Sequence, residues 1–256
     1  MTELPYLSPA GVHVFAHRGL AGADAEENTI AAFRAALAAG ATHIESDVQA
    51  TKDGVAVLFH DDDLARVAGI KRDISQLTLD EVRKVSIAGG GIPTLAEALA
   101  EFSEARFNLD IKRANAIGPT VKAILSAGAS HRVLVSSFSE GRRKKAVSAL
   151  RSAGVEVATG AGLGRILAGY LAARMGSQSL FDRVMRGTHA MQIPYEHALL
   201  NTLHPKFVRR VLDAGIRLHY WVVNDEQTMQ ELVALGAHGI VTDRADIAVR
   251  ALRNDK

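Results

Sequence analysis

The chain has 256 residues, 48% of them hydrophobic and 23% charged, which excludes an intrinsically disordered chain and allows a large buried core. Its formal charge of +2 is too small to signal a nucleic-acid partner, and the absence of cysteine excludes disulfides, thiolate metal sites and cysteine nucleophiles together. Residues 1–14 carry neither a basic n-region nor an apolar run of signal length, and no stretch reaches the roughly 20 apolar residues that span a bilayer, so a cytoplasmic protein without stable membrane insertion is expected.

In chain order, the first β-branched run covers 12–16 and leads into His17-Arg18-Gly19-Leu20, a βα turn that lacks a dinucleotide fingerprint. A helical pattern ending at Gly40 precedes a second strand at 43–48. The turn Lys52-Asp53-Gly54 and a short strand at 55–59 predict a hairpin excursion, about 52–92. Further strands are expected at 106–111, 132–136, 155–159, 190–193, 217–222 and 239–242. A helix, then glycine, then a β-branched run recurs five times, at Gly40, Gly128, Gly154, Gly215 and Gly236. Glycine just past a helix end takes the left-handed conformation without a Cβ penalty, and helix followed by short buried strand is the pattern of βα units. Eight such strands allow an open doubly wound sheet or a closed barrel. An open sheet gathers its ligand at one switch point. Here polar, chemically capable residues follow the first, second, third, fourth, seventh and eighth strands, and only a closed barrel brings those ends to one mouth. The expected fold is α/β, a TIM-type (β/α)8 barrel forming one domain over 1–256.

Glu45 and Asp47 lie two apart on the second strand and share a face; Asp110 and Lys112 repeat the spacing on the third. Carboxylates that point into a barrel are costly to bury unless paired or bound to a cation. Two readings follow: an all-oxygen site for a hard divalent ion, Mg²⁺ or Ca²⁺, or a salt-bridge network with Lys112 and Arg18. His17 and His60 both end strands at this mouth, where an imidazole can take or give a proton near neutral pH. The other eight histidines have blander explanations: His43, His131, His189 and His238 fall at strand starts, and His13, His197, His204 and His219 lie away from any acidic cluster. Arg18 and Lys112 supply fixed positive charge that either balances the acids or receives an anion.

The ordered series His17-Arg18-Gly19, Glu27-Asn28-Thr29, Glu45-x-Asp47, His60-Asp61, Ile92-Pro93-Thr94-Leu95, Asn108-Leu109-Asp110-Ile111-Lys112, Ser136-Ser137-Phe138, Trp221-Val222-Val223-Asn224 and Gly239-Ile240-Val241-Thr242-Asp243-Arg244 resembles the motifs of glycerophosphodiester phosphodiesterases over nearly the whole chain. The resemblance implies metal-dependent hydrolysis of small glycerophosphodiesters to glycerol 3-phosphate and an alcohol. It assigns Mg²⁺ or Ca²⁺ to Glu45, Asp47 and Asp110, the acid/base pair to His17 and His60, and substrate contacts to Arg18, Lys112 and Trp221. Neighbouring readings are a lysophospholipase D-type or other lipid phosphodiesterase on the same site, and a non-catalytic barrel for phosphorylated ligands, disfavoured by the complete set of acids and histidines.

Two departures from the family pattern stand out. Asp110 replaces the usual glutamate, which implies a metal closer to the third strand or an intervening water. Residues 66–72 replace a threonine-rich turn and are expected to overhang the mouth, leaving head-group and acyl preference open. Gly160-Ala161-Gly162-Leu163-Gly164 reads as a permissive loop or as an anion-binding nest. The stretch 165–187 has apolar residues at helical spacing punctuated by arginines. It reads as an ordinary outer helix, or as a helical pair that leans over the mouth in peripheral contact with lipid. Nothing in the sequence sets the oligomeric state.

Overall fold

The structure is a computed structural model and describes residues 4–8, 11–198 and 200–252. Its frame is eight parallel strands: β1 (His13–His17), β2 (His43–Ala50), β3 (Arg106–Ile111), β4 (Val133–Ser136), β5 (Ala158–Thr159), β6 (Ala190–Pro194), β7 (Arg217–Trp221) and β8 (Gly239–Thr242). They lie in the order β5-β4-β3-β2-β1-β8-β7-β6. The two ends of that path meet through the parallel bridge Gly160–Ala190, where the His189 amide donates to the Thr159 carbonyl (2.9 Å) and the Ala161 amide to the Ala190 carbonyl (3.0 Å). The expected barrel is therefore present, thinnest at this seam. β5 is shorter than the 155–159 run because the Val155 amide still bonds back to the Leu150 carbonyl of the preceding helix (3.2 Å).

Alternation along the strands sorts side chains into two cores. Outward residues pack under the helices in two large clusters, one around Tyr220, Phe207 and Met229, the other around Phe33, Phe107 and Leu95. Inside, Tyr6, Phe15, Leu134, Ala158, Ala190 and Val241 fill the lower barrel. Tyr6 comes from the short 3-10 turn Pro5–Leu7, is fully buried, and meets the His43 ring edge-on at 4.9 Å.

The excursion after β2 is larger than a hairpin. Ala56–Leu58 pairs antiparallel with β2, as expected, but Asp63–Leu64 and Ile70–Asp73 form a second hairpin, and Val57, Phe59, Leu64, Ile74, Leu77 and Val82 give it a core of its own. Helix 178–185 is an ordinary outer helix: Phe181 and Met185 are buried, and both close on Gly169 of the helix Leu163–Arg174, where a Cβ would lie 3.2 Å from Met185 Sδ. Among the described residues, no helix is long and apolar enough to cross a membrane.

The barrel floor is lined by neutral imidazoles. His43 stacks on Phe15 at 4.5 Å and approaches His13 at 4.6 Å; His219 lies 4.6 Å from Phe15. Burial holds His43 and His219 well below the ordinary histidine range; His13 and Arg106 add to the effect at His43, and His13, His43, His238 and Arg217 at His219. Burial and Arg217 bring His238 down to about 4. Such a ring stays neutral when folded but binds a proton when unfolded below about pH 6.5, so its contribution is complete above that pH and declines as pH falls toward the folded value. Glu45, raised from 4.5 to about 8, acts with the opposite sign between those values, a range that overlaps the histidine window. The histidine part is therefore best read from the rings themselves. NMR of the folded protein from pH 7.5 to 5 is expected to show no titration of the His43 and His219 ring protons, and a midpoint near 6.5 at either would contradict the neutral floor.

Candidate active site

The mouth is built on pairings between adjacent strands. Register sets His17 of β1 beside Glu45 of β2, and Asp47 of β2 beside Asp110 of β3. After His17 the chain turns sharply: Arg18 takes φ 59° and Gly19 φ 92°, and a Cβ on Gly19 would fall 2.8 Å from the backbone of Ala32 in the first helix. Asn28 also has a positive φ, 58°, and its amide donates to the Arg18 carbonyl at 2.8 Å. Left-handed backbone at a residue with a side chain costs about 1–2 kcal/mol. A hydrogen bond to a charged group contributes about 1.5–3 kcal/mol, and both residues make one. Arg18 Nη1 donates to Glu27 (2.8 Å) while its Nε lies 3.3 Å from Asp47; Asn28 Nδ2 donates to Asp47 (3.3 Å) and its oxygen accepts from Ser46 (2.6 Å). The strain is thus held by the carboxylates that it serves.

Negative charge exceeds its local compensation. Lys112 Nζ donates to both Asp47 (3.0 Å) and Asp110 (3.3 Å). Burial alone would raise Asp47, but Lys112, Arg18 and His60 hold it below the usual carboxylate range. Burial raises Asp110 against the pull of Lys112, and Asp47 adds to the rise. Burial and the charge of Asp47 push Glu45 up to about 8 despite His17 and Arg18. The buried oxygens Asp110 Oδ1 and Asn108 Oδ1 have no hydrogen-bond partner. Surplus charge with unsatisfied oxygens is the environment a hard divalent cation relieves, so the donor set Glu45, Asp47 and Asp110 fits such an ion. A different trio is the closest-set: among the described residues, Glu27, His60 and Asp61 place ligand atoms within 4.8 Å of one another. Its carboxylates are already engaged, however, by Arg18 and Arg66 at Glu27 and by His60 and Arg66 at Asp61.

Each mouth histidine is held through Nδ1. His17 Nδ1 lies 2.7 Å from Asp243 Oδ1, and His60 Nδ1 lies 2.8 Å from Asp61 Oδ1. An ionised carboxylate only accepts, so Nδ1 carries the hydrogen and Nε2 is left for proton exchange. Burial pulls His17 down, but the Asp243 hydrogen bond and the charge of Glu45 outweigh it, so the ring sits above its ordinary value. Asp243 is fixed in turn by Asn224 Nδ2 (2.8 Å).

All eight residues expected at the site, His17, His60, Glu45, Asp47, Asp110, Arg18, Lys112 and Trp221, line one cavity of about 510 Å³. Of residues 66–72, Arg66 reaches the rim, bridging Asp61 and Glu27 at 2.6 Å each, and none of them lines the cavity. The glycine loop after β5 has its own anion: the Gly162 amide donates to the Glu140 carboxylate (3.2 Å), which also meets Arg165 at 2.9 Å. Asp243 has no role in the sequence reading, although it stands within the quoted β8 motif; only barrel closure places β8 against β1.

A model of the glycerophosphoryl diester phosphodiesterase family matches residues 17–247. A probable glycerophosphodiester phosphodiesterase 2 of Mycobacterium tuberculosis is 39% identical over 243 residues, 94% of this chain and 91% of the relative. A glycerophosphodiester phosphodiesterase from Agrobacterium tumefaciens superposes with a TM-score of 0.75 at 22% identity, covering 94% of this chain and 98% of its own. A phosphodiesterase of Oleispira antarctica, solved with the product sn-glycerol-3-phosphate, gives a TM-score of 0.71 at 24% identity, covering 94% and 96%.

Replacing Asp243 by Asn keeps the shape of the side chain and removes its charge from His17. Turnover of a small phosphodiester is expected to fall about 10²-fold, with the unfolding midpoint unchanged because the Asp243 side chain is 53% exposed. Unaltered turnover would show that His17 works without this support.

Proposed function

The chain belongs to the glycerophosphoryl diester phosphodiesterase family and is a phosphoric diester hydrolase, and from that premise we propose that it cleaves glycerophosphodiesters to glycerol 3-phosphate and an alcohol with a divalent cation, Mg²⁺ or Ca²⁺, and histidine acid/base catalysis. The observation that carries this reading is the pair His17 and His60, each steered through Nδ1 by a carboxylate and both opening on the cavity that holds Arg18 and Lys112. The phosphodiester anion lies between the guanidinium of Arg18 and the ammonium of Lys112, which keep it away from the carboxylates. One imidazole takes the proton from the attacking water, or from the glycerol hydroxyl that would first close a cyclic phosphate for water then to open, as the oxygen–phosphorus bond forms. The other, protonated, delivers a proton to the departing alkoxide as the second bond breaks. Glu45, Asp47 and Asp110 would hold the cation, which when bound supplies Lewis-acid polarisation of the phosphoryl oxygens. Trp221, half-buried against Phe138 at 6.3 Å, lines the same cavity and would contact the substrate there. The sn-glycerol-3-phosphate held by the Oleispira antarctica enzyme is the product proposed here.

The test is glycerol 3-phosphate release from glycerophosphocholine by chelator-treated protein, with and without added Mg²⁺ or Ca²⁺. Activity is expected to vanish in chelator and return with the ion, and His17→Ala and His60→Ala are each expected to lower turnover by about 10²- to 10⁴-fold without unfolding the barrel. Full activity in chelator, or a near-native rate in either variant, would contradict the mechanism.

A further inference from the structure

Each mouth histidine donates through Nδ1 to a carboxylate, and each carboxylate needs a fastening of its own. Asp243 takes it from Asn224. Asp61 takes it from Arg66 in the excursion after β2. Arg66 Nε donates to Asp61 Oδ2 at 2.6 Å, while the other oxygen, Oδ1, faces His60. Arg66 Nη2 donates to Glu27 Oε1 at 2.6 Å, and that oxygen also accepts from Arg18 Nη1 at 2.8 Å. An unbroken line of side chains therefore runs from the His60 imidazole through Asp61, Arg66 and Glu27 to Arg18.

Taking the guanidinium out of this line sets charge against charge. Glu27, His60 and Asp61 place ligand atoms within 4.8 Å of one another, and carboxylates that close repel unless a cation separates them. Arg18 is already shared between Glu27 and Asp47. Without Arg66, Asp61 is free to turn toward solvent and to take the His60 ring with it. Burial would raise Asp61, but the hydrogen bonds from Arg66 and His60 hold it below the usual carboxylate range. It thus remains an acceptor and keeps the His60 hydrogen on Nδ1.

The main chain fixes where the His60 ring begins but not how it turns. Gln49 of β2 donates to the backbone carbonyls of both His60 and Asp61. Arg66 itself is firmly presented. Its short helix Ala65–Ala68 starts where the Ala65 amide donates to Asp63 (2.9 Å) and stops at Gly69, which takes φ 69°. Leu64, just before, is buried in the excursion's own core, and Arg113, next to Lys112, ties the hairpin to the end of β3 through Asp62 (2.8 Å) and Asp73 (2.5 Å). The Arg66 side chain is 51% exposed and lines no part of the cavity, so it can reach a substrate only through other residues.

We propose that Arg66 is a positioning residue for hydrolysis: clamped between Asp61 and Glu27, its guanidinium sets the tautomer and ring orientation of His60 toward a phosphodiester held at Arg18. This rests on the hydrolytic reading above and extends its machinery into the excursion. Arginine suits the place because its planar fork spans two carboxylates, whereas lysine offers a single point charge. Exposed ion pairs add little to folding stability, so the orientation of His60, not the fold, is what Arg66 supplies.

The test compares native protein, Arg66→Ala and Arg66→Lys on glycerophosphocholine in Mg²⁺. In Arg66→Ala, kcat is expected to fall about 10- to 100-fold while KM stays within about twofold. Arg66→Lys should recover part of the loss, and free guanidinium ion, well below denaturing concentration, should raise kcat in Arg66→Ala alone. Ring ¹⁵N shifts of His60 in alkaline buffer, assigned by their loss in His60→Ala, read the same point without turnover. The native ring is expected as the Nδ1–H tautomer, and the Arg66→Ala ring as a mixture of both. Native kcat or an unchanged tautomer in Arg66→Ala would overturn the proposal. So would a raised KM at unchanged kcat, which would place Arg66 behind the phosphate contact of Arg18. A fall in kcat that neither lysine nor guanidinium recovers, with a lowered melting midpoint, would make Arg66 a purely structural ion pair and overturn it as well. Absence of turnover in the native protein would instead remove the catalytic reading, and the His60 tautomer would still decide what Arg66 does to the ring.

Discussion

Three carboxylates on neighbouring strands of one barrel repel each other, and much of the mouth is arranged around that repulsion. In an interior of low dielectric, like charges a few ångströms apart are expensive unless cations separate them. Lys112 lies between Asp47 and Asp110, and Arg18 reaches Asp47 from the other side. To place that guanidinium, Arg18 adopts a left-handed backbone, Gly19 lets the turn close on Ala32, and Asn28 bends to meet both Arg18 and Asp47. Glu45 remains the least compensated: its carboxylate accepts from the Arg18 backbone amide at 3.3 Å, and its ion-pair contact with His17 Nε2 is long, 4.0 Å. The floor sharpens the effect, since Tyr6, Phe15 and the neutral His43 and His219 put no charge beneath the acids. Charge is therefore concentrated where a phosphodiester and a cation would meet.

The same economy divides the cavity. Strands β1 to β3 carry the charge, and the helix after β5 carries apolar surface. Glu140 links the two by filling the glycine loop with the protein's own carboxylate, which fixes the helix start and keeps that loop from binding an external anion. Helix 178–185 supports the arrangement from behind: Phe181 and Met185 fit against Gly169 and leave the exposed Leu167 and Leu171 to the solvent side.

Much of this was legible in the sequence where a local rule applied. Period-two spacing put Glu45 with Asp47 and Asp110 with Lys112, and glycine-punctuated junctions marked the βα repeats. What was missed required tertiary contact. The Asp243–His17 pair spans 226 positions and exists only because β8 closes on β1. The floor histidines looked bland because nothing local reveals that His13, His43 and His219 face a shared interior. Residues 155–157 have the composition of a strand, but the Val155 amide remains committed to the helix end. The apolar stretch 165–187 was ambiguous because both its helices carry stripes; only packing separates the buried Phe181 from the exposed Leu171.

The most direct measurement is calorimetric titration of Mg²⁺ and Ca²⁺ into chelator-treated protein, comparing the native chain with Asp47→Ala and Glu27→Gln. If uncompensated carboxylates on β2 and β3 form the cation site, the native protein binds one ion, Asp47→Ala loses it and Glu27→Gln keeps it. Binding that survives Asp47→Ala and disappears in Glu27→Gln would move the ion to Glu27, His60 and Asp61 and contradict the account.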